Sequence, residues 1–120
     1  MSLLDPTPPP EDPERLILEA SRTCDRLRSL SLVRLAGSLP EGRSRARAAF
    51  DLAQELADAS FALAGTPSHV LPDLADLAAG DVLAVCAQDL AEEVARRPSH
   101  AAAEACSGAV EGLIALRQVL

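Results

Sequence analysis

Apolar residues return at alternating steps of three and four along most of the chain, the period of a helix that buries one face. Four stretches carry this pattern. The first gathers Leu16, Ile17, Ala20, Cys24, Leu27, Leu30 and Leu35 on one side, with Arg15, Glu19, Arg22 and Arg26 on the other. It predicts a helix over 13–36, opened by the cap Asp12, the first-turn Pro13 and the dipole-complementing Glu14, and stopped by Gly37. The pattern weakens at Ser29-Leu30-Ser31, where a bend is expected. The second stretch turns Phe50, Ala53, Leu56, Ala57, Ser60, Phe61 and Ala64 inward and Asp51, Glu55 and Asp58 outward. Ser38-Leu39-Pro40-Glu41 reads as a capping box that opens it, and Gly65 ends it.

A short helix over 71–79 follows, interrupted by Gly80, and Asp81 is placed to cap the third main helix. That helix buries Leu83, Cys86, Ala87, Leu90 and Val94 and wets Gln88, Asp89, Glu92 and Arg96. Pro98 stops it and Ser99 caps the last. Four long helices on short connections predict an all-α fold, an antiparallel up-down-up-down four-helix bundle over 13–120. The prolines at 6, 8, 9 and 10 exclude a helix before it and predict a disordered tail over 1–12.

The last helix, 99–120, carries two apolar stripes side by side. One is Ala102, Cys106, Ala109, Leu113, Leu116 and Leu120; the other is Ala101, Ala105, Gly108, Gly112, Ala115 and Val119. A helix at the surface of a small bundle buries one stripe, so the second asks for another helix. Gly inside a helix costs roughly 0.5–1 kcal/mol against Ala, and Gly108-x-x-x-Gly112 therefore implies a close helix approach. The approach is either to a neighbour in the same bundle or, as preferred here, to a second copy across a two-fold axis. The Leu stripe already serves the internal core.

Composition sharpens this picture. The chain is 48% apolar with two aromatic residues, Phe50 and Phe61, and no Trp or Tyr. Strand-forming residues are scarce, which again points to all α. Lys and Asn are absent and the eleven cationic side chains are all Arg, a usage suggesting a high-GC bacterial genome. The formal net charge of −7 disfavours nucleic acid and anionic membranes as partners. Cys24, Cys86 and Cys106 are an odd set without ligand spacing, each at a core-facing position. They predict buried reduced thiols and a cytoplasmic location. No secretory signal or membrane-length apolar run is present.

Candidate chemistry is sparse. Arg43, Arg45 and Arg47 crowd the start of the second helix, where cations oppose the dipole. They are explained either by neighbouring acids or by an anion bound at free helix amides. Glu55-x-x-Asp58 and Asp89-x-x-Glu92 with Glu93 form two carboxylate sets on separate helices. Their spacing resembles the paired acidic motifs that hold Mg²⁺ in all-α nucleoside triphosphate pyrophosphatases. That resemblance implies a Mg-dependent hydrolase of a phosphorylated small molecule. The family's pattern has more acids and a Lys, and both sets here fall on wet faces. Neither His69 nor His100 follows a Glu by three residues, as a di-iron bundle requires, and the cysteines read as buried, whereas a nucleophilic thiol needs an exposed, electropositive setting. No cofactor is implied. The expected function is non-enzymatic: a bundle that forms a homodimer or binds a protein partner through its last helix.

Overall fold

The computed structural model describes residues 7–120, which form five α-helices. They are α1 (Pro13–Ser29), α2 (Leu32–Ala36), α3 (Arg45–Ala64), α4 (Ala79–Arg96) and α5 (His100–Val119), with a 3-10 turn, Asp76–Ala78, running into α4. The all-α expectation holds. No helix among the described residues is long and apolar enough to cross a membrane.

Two helix starts follow the local chemistry of the sequence. The Asp12 carboxylate accepts from the Glu14 amide at 2.9 Å with Pro13 in the first turn, and the Ser99 hydroxyl accepts from the Ala102 amide at 3.0 Å. Elsewhere the structure corrects the expected elements. Residues 13–36 are two helices, because Leu30 turns extended and Ser31 caps a new start by accepting from the Arg34 amide at 3.2 Å. Serines near a weak apolar pattern offer the backbone other partners than the helix. Ser38 and Glu41 open no helix. Ser38 forms an isolated antiparallel bridge with Ser44, Gly42 adopts φ +108°, and Glu41 pairs with Arg43 instead. Ser44 is the actual cap of α3, accepting from the Arg47 amide at 2.9 Å.

Gly80 does not interrupt α4, and Asp81 does not cap it. A Cβ on Gly80 would stand 3.0 Å from Arg28 Cγ and 3.3 Å from the Cys24 carbonyl oxygen, so the glycine permits close approach of α4 to α1. Asp81 receives the Arg28 guanidinium at 2.9 Å.

The connection from α3 to α4 is the largest departure from expectation. Gly65 closes α3 with φ +73°, and Pro67 and Pro72 then exclude a helix. The following residues run back along α3. Phe61 meets the His69 ring edge-on at 5.3 Å; Gln54 donates to the His69 carbonyl at 2.9 Å and accepts from the Leu71 amide at 2.8 Å. Leu74 reaches the level of Arg47 and Phe50. Because of this crossover, α4 starts beside the end of α1 and finishes beside the end of α3, where Arg97 donates to the Ala64 carbonyl at 3.2 Å. Helix α5 then returns alongside α1 in the same direction: Thr23 donates to the Leu113 carbonyl and Arg26 to that of Leu120. Helices α3 and α4 are therefore parallel, and the order is up-down-down-up instead of the alternating one that short connections would impose.

The closest packing is of α3 and α1 on α4, with α5 laid on α1. Leu16, Leu27, Leu83, Leu90 and Leu113 are fully buried at the centre. Of the tail expected over 1–12, residues 1–6 lie outside the described residues. The end of that stretch is tied to α1: Arg15 donates to the Pro8 carbonyl and the Asp12 amide to the Pro9 carbonyl, both at 3.0 Å.

Candidate functional site

The second stripe of α5 divides on folding. Ala105 and Gly112 are half-buried, while Ala101, Gly108, Ala115 and Val119 are exposed. The two glycines part company as well. A Cβ on Gly112 would lie 2.9 Å from Cδ1 of Leu52, so this glycine admits α3 of the same chain. A Cβ on Gly108 would meet nothing within 4 Å. The demand for another helix is thus met on one edge by α3, and the outer edge stays open.

Along that edge a groove of about 440 Å³ opens between α3, α5 and the 38–44 loop. Its walls are Leu39, Pro40, Leu52, Ala115, Leu116 and Val119, and its charged lip is Glu41, Arg43 and Glu55. The bridge between Ser38 and Ser44 is what brings Leu39 and Pro40 there, since it folds the loop over the start of α3. Sequence reasoning placed Gly112, Ala115 and Val119 at a contact surface but missed Leu39, Pro40 and Leu52. Gly112 signalled a close approach without naming what approaches.

The three candidate anion-binding arginines do not converge. Arg43 grips Glu41 with both ends of its guanidinium, at 2.6 and 2.8 Å, and reaches Asp51 at 3.0 Å. Hydrogen bonds from Arg43 hold the Glu41 carboxyl below its ordinary pKa, and the same pairing raises that of Arg43. Arg47 also pairs with Asp51, at 3.0 Å, and lies over the Phe50 ring at 5.6 Å. Arg45 turns the other way, donating to the Arg34 carbonyl. Neighbouring acids thus answer the unfavourable placement of Arg43 and Arg47 at a helix N-terminus.

The carboxylates named for a metal are likewise scattered. Glu55 stands at the groove lip, and Asp58 accepts from Gln54. Asp89, Glu92 and Glu93 flank a shallow depression by the ends of α3 and α4. Glu93 is buried instead of wet, 9% exposed, and binds Arg96, with Arg97 at 3.9 Å. Among the described residues, no group of three His, Cys, Asp or Glu side chains is arranged to hold a metal ion.

The cysteines are free and buried, as expected. Burial pushes the Cys24 and Cys106 thiols up to about 11 and raises Cys86 in the same direction, leaving the nucleophilic thiolate scarce. His100 is an exposed partner of Glu104. What the groove offers is exposed apolar surface at Pro40, Ala115 and Val119 over the buried Leu39, Leu52 and Leu116, with charge at its lip. No family model, curated protein or solved structure matches this chain.

Proposed function

We propose that this protein is a non-enzymatic association module that docks a helical segment in the groove between α3 and α5. One observation carries the reading: the apolar walls of Leu39, Leu52, Leu116 and Val119 continue into a part of α5 whose Gly108 has no packing role within the chain. Exposed glycine in mid-helix lowers stability, and close approach of a second helix gives it a reason. Helix-in-groove recognition uses such surfaces, with apolar anchors at helical spacing.

Two occupants match the apolar face of the groove. The α5 of a second copy, meeting its partner through Ala101, Ala105, Gly108, Gly112, Ala115 and Val119, makes the expected homodimer. A helix of another protein makes a heterologous complex. Three free, buried thiols accord with a reducing cytoplasmic setting, and the net charge of −7 accords with a protein partner over nucleic acid.

The test is groove occupancy. Amide shifts of the labelled full chain are followed on raising its own concentration and on adding a synthetic uncharged amphipathic Leu/Ala helix. The reading expects movement confined to residues 39–55 and 108–120 in at least one titration. Gly108→Leu, whose Cβ meets nothing within 4 Å inside the chain, should abolish it. Amides in those stretches that stay still in both titrations refute the reading.

A further inference from the structure

Resting on that groove, we infer that its occupant is a cationic amphipathic helix of another protein, not a second copy of this chain. The lip carries an excess of negative charge. Glu41 and Arg43 neutralise each other there, and Asp51 and Arg47 do the same one turn further along α3. Glu55 on the lip remains exposed, with no hydrogen-bond or ion-pair partner among the described residues. Glu111 is exposed and equally without one; it lies outside the groove's lining, one helical turn before the wall residue Ala115 on the same side of α5.

The α5 of a second copy brings no Lys, and its one Arg, Arg117, is already bound to Glu19 and Thr23. Across the whole chain Lys is absent, and each of the eleven Arg side chains holds an internal acceptor. Arg15, Arg22 and Arg117 serve Glu19; Arg28 serves Asp81; Arg96 and Arg97 serve Glu93. Arg26 and Arg34 are held on the Leu120 carbonyl and Arg45 on that of Arg34. On α5 itself, Arg117 turns inward, and the exposed carboxylates are Glu104 and Glu111. A copy of α5 laid in the groove brings acid against acid in either direction, which is unfavourable at close range. A helix with Leu or Ala anchors flanked by Lys or Arg satisfies the apolar floor and the free carboxylates together.

Three fluorescent peptides of about 16 residues share one Leu/Ala face and differ only in flanking Lys, Gln or Glu. Each is titrated with the full chain by anisotropy at low and high salt, and the chain alone is sedimented. The Lys peptide should bind tightest, weaken as salt rises, and lose about three- to tenfold in affinity to Glu55→Gln with Glu111→Gln. Ala115→Trp, at an exposed position on the wall, should fill the groove and abolish binding with helix content unchanged. Equal binding of all three peptides overturns the charge assignment and leaves the docking groove standing. A dimer in sedimentation that Ala115→Trp splits overturns it in favour of a second copy. If no peptide binds and the chain is monomeric, the docking reading falls with it.

Discussion

Glu19 lies between Arg15 and Arg22 on what the spacing marks as the wet side of α1, yet it is 1% exposed. Arg15 pairs with it at 2.8 Å on one side and Arg117, 98 residues along, at 2.8 Å on the other. Arg117 also donates to Thr23, whose hydroxyl binds the Leu113 carbonyl, so α5 is fastened to α1 by a polar cluster. Burial raises the pKa of the Glu19 carboxyl, but hydrogen bonds and charge from Arg15 and Arg117 outweigh it and leave the pKa below its ordinary value. Glu19→Gln should cost about 2–3 kcal/mol at pH 7, less than the ~3–5 of a fully buried pair because both arginines keep some contact with water. A lowered folded pKa stabilises above the unfolded value near 4.3, and the gain is lost as pH falls through the folded value. Urea midpoints of the two proteins should therefore differ at pH 7 and draw together only as pH falls below the unfolded value and through the lower folded one. A gap that persists unchanged at acid pH contradicts the assignment. The two glycines of α5 give a second residue-scale test. Gly108→Ala adds a methyl in open space and should gain about 0.5–1 kcal/mol in helix propensity. Gly112→Ala forces Cδ1 of Leu52 to move from 2.9 Å and should gain less or lose. Equal urea midpoints for the two variants would show that Leu52 does not constrain Gly112.

At the scale of the helices, local chemistry was legible where a single residue decides it. Asp12 with Pro13, and Pro98 with Ser99, placed two starts because caps act within one turn. The same reasoning failed at Ser38, since a capping box and a tight bridged loop share Ser and Glu at spacing three. Only the pairing of Glu41 with Arg43 and the positive φ of Gly42 separate them. Facing was legible for Leu and Cys positions but not for Glu19 or Glu93, which are covered by arginines from elsewhere in the fold or from the next helical turn. Nor did the local pattern reveal the crossover, whose path depends on Gln54, a side chain that reads as ordinary helix surface. Gln54→Ala removes two hydrogen bonds to that segment, worth about 1 kcal/mol each. Cleavage by a broad-specificity protease within 66–75 should accelerate while far-ultraviolet circular dichroism stays the same. If the cleavage rate does not change, some other contact holds the crossover in place.

Across the whole molecule, the up-down-down-up order makes α4 the shared element. It packs on both α1 and α3, and Leu83, Ala87 and Leu90 in its middle are fully buried. Helix α5 is packed mainly on α1 and leaves its outer edge to solvent or a partner. Stability in such a fold is graded, with free energies of opening rising from loosely packed segments to the element that others lean on. Opening the crossover breaks the Gln54 bonds and exposes little core; opening α5 breaks the Glu19 cluster and uncovers Leu113; opening α4 removes the support of both α1 and α3. Hydrogen exchange of the free chain should rank protection in that order, fastest over 66–75, intermediate in α5 and slowest at the centre of α4. A cationic peptide seated in the groove should slow exchange in α5, and in α4 by the overall stabilisation of the complex, and leave 66–75 where it was, because that segment opens locally without releasing the peptide. Slowest exchange in α5 of the unbound chain would mean that its outer edge is already covered, and that the groove is closed by a copy of the chain before any partner arrives.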